Sequence, residues 1–79
     1  MTLAKLEKII NSCLNDITFI YNNKSCGITS TVNNYIPTFD VWYGDFNKTY
    51  SNVEDVLTDN IFNGKSLKDL VKIVDFDVL

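Results

Sequence analysis

Residues 38–50 read Thr-Phe-Asp-Val-Trp-Tyr-Gly-Asp-Phe-Asn-Lys-Thr-Tyr, and the reading of this stretch decides the fold. Two runs of strand-forming residues flank Gly44-Asp45, and a Gly-X pair suits the type II′ turn of a two-residue hairpin. That turn sets Tyr43 opposite Phe46, Val41 opposite Lys48 and Phe39 opposite Tyr50 on one face. The other face pairs Trp42 with Asn47 and Asp40 with Thr49. The first face is nearly all apolar, so it should look into the core, with Phe39, Tyr43 and Phe46 buried. The second is polar apart from Trp42, the only tryptophan of the chain. A large aromatic ringed by Asp40, Asn47 and Thr49 has the composition of a protein-contact hot spot, unless a helix covers it.

On the N-terminal side, Thr2 can cap a helix over about residues 3–14, with Leu3, Leu6, Ile10, Cys13 and Leu14 on one stripe. Residues 17–21, Ile-Thr-Phe-Ile-Tyr, read as a strand, and residues 22–25 as a turn. A second strand follows over about residues 26–32, and Asn33, Asn34 and Pro37 punctuate the approach to the central hairpin. After Tyr50 the apolar period lengthens from two to about 3.6 residues. Ser51 and Glu54 match a capping box, opening a helix over about residues 52–61 that carries Val53, Val56, Leu57 and Ile61. Asn63-Gly64 reads as a helix stop, and Ser66 starts a short helix with Leu67, Leu70 and Val71. In residues 74–78, Val74, Phe76 and Val78 alternate with Asp75 and Asp77, as in a last strand whose acids discourage edge pairing. Helix, four strands, two helices and a strand make one α+β domain over residues 1–79. Its core is a small antiparallel sheet of four to five strands, with the N-terminal helix and the two short C-terminal helices on one face.

Composition narrows the function. The 79 residues carry seven Lys, no Arg and ten acids, a net charge of −3. Residues 1–37 hold three Lys against two acids and residues 38–79 four Lys against eight, so the two halves differ in sign. A nucleic-acid binder should show a basic stripe with Arg, so direct binding to nucleic acid is not expected. No run of 18 apolar residues exists to span a membrane, and the first residues alternate charge with apolar side chains, unlike a signal peptide. The expectation is a cytoplasmic protein with reduced Cys13 and Cys26. The chain has no His, which closes the Ser–His and Cys–His schemes and removes the commonest general base. Cys13 falls on the helical stripe, leaving Cys26 as the less buried thiol.

Gly64-Lys65-Ser66 resembles a phosphate loop only in part, because Asp59 stands where that motif needs glycine. Residues 59–70 fail as a calcium loop, with Ile61 and Leu70 at ligand positions. Asp75 and Asp77 read as a solvated strand face. No enzyme activity, cofactor or metal is expected.

Residues 63–78, Asn-Gly-Lys-Ser-Leu-Lys-Asp-Leu-Val-Lys-Ile-Val-Asp-Phe-Asp-Val, resemble in style the short acidic accessory proteins of phages and prophages of AT-rich Gram-positive bacteria. The similarity extends over residues 38–78 and carries no catalytic residue. It implies a non-enzymatic role in binding a host or phage protein. The reading expects a small protein-binding module whose contact face is Asp40, Trp42, Asn47 and Thr49, rimmed by Asp75 and Asp77. The alternatives are a homodimer closed by the Trp42 face or a sheet edge, and an acidic mimic of nucleic acid that blocks a DNA-binding protein.

Overall fold

The turns set the order of the strands. In the computed structural model, which describes residues Met1–Leu79, positive φ falls on Asn22-Asn23, on Asn34-Tyr35 and on Gly44. Each begins a two-residue reversal, and Asn and Gly enter this region most readily. These reversals join β1 (Ile17–Tyr21), β2 (Lys24–Asn33), β3 (Ile36–Tyr43) and β4 (Phe46–Tyr50) into a meander. A final pair, β5 (Asp77–Val78), returns to β1, and the antiparallel sheet runs β4-β3-β2-β1-β5. The hairpin around Gly44-Asp45 has the register its residues specify, from Tyr43 opposite Phe46 to Phe39 opposite Tyr50. Positive φ falls on Gly44 and not on Asp45, as a type II′ turn requires.

Alternation then assigns each side chain to a face. Ile17, Phe19, Cys26, Ile28, Phe39, Val41 and Tyr50 are buried on one side of the sheet. Helix α1 (Leu3–Ser12), capped by the Thr2 hydroxyl, adds Leu6 and Ile10 to them. Helix α2 (Val53–Thr58) adds Val56 and Leu57, and α3 (Leu67–Leu70) adds Leu67 and Leu70. Phe62, in the connection between α2 and α3, is fully buried, with its ring 5.5 Å from Phe19 and 5.9 Å from Tyr43. No buried side-chain polar atom lacks a hydrogen-bond partner.

Several boundaries differ from the sequence reading, each for a local reason. The cap of α2 is Asn52, not Ser51. Its side chain accepts from the Asp55 amide at 2.9 Å and donates to the Asp55 carboxylate, while Ser51 turns the chain off the sheet. A reciprocal capping box forms instead at Ser66 and Asp69. Helix α2 stops at Thr58 because Asp59 is drawn to β4. One Asp59 carboxylate oxygen accepts from Lys48 Nζ at 2.7 Å and from the Tyr50 hydroxyl at 2.8 Å, and Asp59 becomes extended. Asn63-Gly64, read as a helix stop, is the tight turn of a one-bridge hairpin between Phe62 and Lys65. β5 is two residues long, because the hydrogen-bonded turn after α3 runs to Val74 and Phe76 packs on the Phe19 ring at 5.1 Å.

Two core assignments are also corrected. Phe46 lies at the turn end of the edge strand β4, beyond the reach of the helices, and is 50% exposed. Cys26 is the buried thiol and Cys13 the half-buried one, since Cys26 alternates inward with Ile28 whereas Cys13 forms the left-handed cap of α1.

β2 and β3 outrun their neighbours. β1 meets β2 no further than Ile28, and β4 meets β3 no further than Phe39. The distal hairpin therefore stands clear as a two-stranded arm, with Tyr35 at its tip, 98% exposed and at φ 65°. A tyrosine in the left-handed region is strained and here has no packing to offset it. Tyr35→Gly should therefore raise stability by ~0.5–1 kcal/mol in urea unfolding, net of the flexibility Gly adds to the unfolded chain.

The charged latch predicts a pH window. Lys48 first, and then the Tyr50 hydroxyl, hold Asp59 below the usual carboxylate range; the Ser66 amide and hydroxyl do the same for Asp69. Burial, and then the bond to Asp59, push Tyr50 well above the usual phenol range. A lowered carboxylate stabilises the fold above its unfolded value and loses that contribution as pH falls through its folded value. A raised phenol stabilises below its unfolded value and loses its share as pH rises past it. The urea midpoint should drop below about pH 4 and again above about pH 10. Asp59→Asn should shallow the acid limb and Tyr50→Phe the alkaline one.

Candidate functional site

The face of the sheet turned away from the helices is made by the residues that alternate with the core. It is rich in hydroxyls and amides, with Thr18, Thr29, Thr31, Thr38 and Thr49 among them, and by register it carries no lysine. One row crosses all five strands on this face: Asn47, Trp42, Gly27, Thr18 and Asp77.

Trp42 sits in that row, half-buried and with no helix over it. Its indole packs against Gly27. A Cβ on Gly27 would stand 2.3 Å from Trp42 Cζ2 and 2.6 Å from the Ile17 carbonyl oxygen. A glycine inside a strand often marks such a close approach, and that signal is present in the sequence. The ring is thus packed on the sheet itself and keeps only a minor part of its surface in solvent. Beside it, the Thr49 hydroxyl donates to the Asp40 carboxylate at 2.7 Å across the β3–β4 pair. Asn47 stands directly opposite Trp42.

The structure therefore brings Asp40, Trp42, Asn47 and Thr49 together. Asp77 falls in the same row but on the far edge strand, three strands from Trp42 and about 14 Å away at ordinary strand spacing. Asp75 precedes β5 and lies outside the sheet. Both acids line a groove of about 740 Å³ between β1 and residues 73–75, with Thr18, Ile20 and Ile73. Sequence reasoning missed this groove, because its walls, residues 18–25 and 73–77, come from opposite ends of the chain.

Burial pushes the Cys26 thiol up, against the opposing pull of backbone hydrogen bonds, so it stays protonated at neutral pH. The polar cleft between β4 and α2 contains the Lys48–Asp59–Tyr50 latch, in which each polar tip is already engaged. No group of three or more His, Cys, Asp or Glu side chains is placed to hold a metal ion. No helix is long and apolar enough to cross a membrane.

The packing of Trp42 on Gly27 yields a test. Gly27→Ala should destabilise by ~1–3 kcal/mol, the usual range for overpacking, and shift the Trp42 emission to the red as the ring is lifted from the sheet. In a Trp42→Ala background the same substitution should cost less but still something, because the Ile17 carbonyl remains in the way. No protein-family model, curated protein or solved structure matches the chain.

Proposed function

We propose that the chain is a small non-enzymatic protein-binding module that meets its partner with the helix-free face of its sheet, centred on Trp42. The observation that carries this reading is the setting of that one tryptophan. It is packed on Gly27, partly exposed, and flanked by Asp40, Asn47 and Thr49, which supply a polar rim. A rigid aromatic anchor in a polar surround is the usual energetic centre of a protein interface. Because the face bears Asp40 and Asp77 and no lysine, it favours a partner that presents cations or hydrogen-bond donors. The style of residues 38–78 supports a cytoplasmic partner of host or phage origin.

The test compares native protein with Trp42→Ala and Asp40→Lys, matched for fold by urea midpoint, as baits in bacterial extract. A protein that the native bait retains and both variants lose is the expected outcome. Equal retention by all three baits would overturn the assignment of this face.

A further inference from the structure

We infer that the groove beside β1 is a second, separate docking site, which takes a short extended basic segment of polypeptide as an added strand. Four features of that groove point to this occupant.

The first is an unfinished sheet edge. β5 pairs with β1 only at Ile17 and Thr18, leaving the half of β1 from Phe19 to Tyr21 without a neighbour on that side. Tyr21 and Lys24 flank the two-residue turn to β2, so the backbone groups of Phe19 and Tyr21 turn toward β2. Those of Thr18 and Ile20 turn the other way. β5 engages Thr18, and the N–H and C=O of Ile20 face the groove.

The second feature is room. The groove holds about 740 Å³ between β1 and residues 73–75, because the turn after α3 keeps the chain off β1 until Asp77. The third is exposed apolar surface on both walls: Ile20 is 65% and Ile73 67% exposed.

The fourth is charge. Asp75 and Asp77 line the groove and no lysine does. Lys24, next to the lining residue Ser25, carries its ammonium group over the Tyr43 ring at 5.7 Å. Lys72, next to Ile73, lies outside the lining. Backbone groups of one strand edge supply affinity for an extended chain, and the two carboxylates select cationic side chains on it.

The probe is the peptide acetyl-Lys-Val-Lys-Val-Lys-amide, titrated into isotope-labelled protein and followed by amide NMR. The expected result is saturable shifts at residues 18–22 and 73–77, with slowed exchange of the Ile20 N–H. Two control peptides separate strand pairing from simple charge attraction. The glutamate analogue, and the analogue with proline for valine, should each bind at least about tenfold more weakly. Asp75→Lys combined with Asp77→Lys should give the same loss, as should Ile20→Pro, in which the N–H lost is the one that faces away from β2 and the exposed Ile20 side chain goes with it. Trp42→Ala should leave binding unchanged, so the outcome is independent of the role proposed for the opposite part of the face. Absence of saturable shifts overturns the inference, and so do equal binding of the proline peptide or shifts centred on Trp42.

Discussion

Helices of ten, six and four residues can cover only one side of a five-stranded sheet, and the rest of the structure follows from that limit. The inner face takes most of the apolar residues of the four long strands, and even so needs Phe62, from outside any helix, to fill the space over Phe19 and Tyr43. The outer face has to tolerate water across its whole width. Threonine and asparagine suit both requirements, since they favour extended backbone or turns and present hydrogen-bonding groups outward. Trp42 is the one large aromatic on that face, and the sheet accommodates it by giving up a side chain at Gly27. A domain of this size has little burial to spare, so an aromatic packed on the outer face and not in the core is more telling here than in a larger protein.

The edges show the same economy. Lys48 sits in the middle of the β4 edge strand, and Pro37 removes an N–H from the free part of β3. Both discourage pairing with another chain. Lys48 has a second role, since its bond to Asp59 fixes where α2 ends and draws that helix onto the sheet. On the opposite side, β5 shields β1 for two residues and then departs. The remaining half of β1 has neither a charge nor a proline on it, which makes it the least defended edge in the molecule.

Much of this was legible before any coordinate. The Gly44-Asp45 turn fixed the register of β3 and β4, and with period-two alternation it placed Asp40, Trp42, Asn47 and Thr49 on one face. The four-residue cluster was readable because hairpin partners are close in sequence. Phe46 was misplaced because parity gives a side but not how far along that side the helices reach. The end of α2 was misplaced because propensity says nothing of a carboxylate captured by Lys48 and Tyr50. Asn63-Gly64 serves a helix stop and a tight hairpin equally well, and only the bridge between Phe62 and Lys65 separates them. Asp77 joined the Trp42 row, and the groove came into view, only once β5 was seen to pair with β1, a contact that no local pattern encodes.

That last pairing shapes how the chain must assemble. The first four strands are a meander, each bonding to the one made just before it, and such local pairs form without closing long loops. The strip they make is apolar on one side, and α1 is the only helix available to cover it until residues 53–70 follow. The closing step joins Ile17 to Val78 across nearly the whole chain, with the Leu79 amide donating to the Asp16 carbonyl at 2.9 Å. During synthesis from the N-terminus, a partly shielded strip of sheet therefore precedes most of its own cover. That interval leaves apolar surface and strand edges open to aggregation.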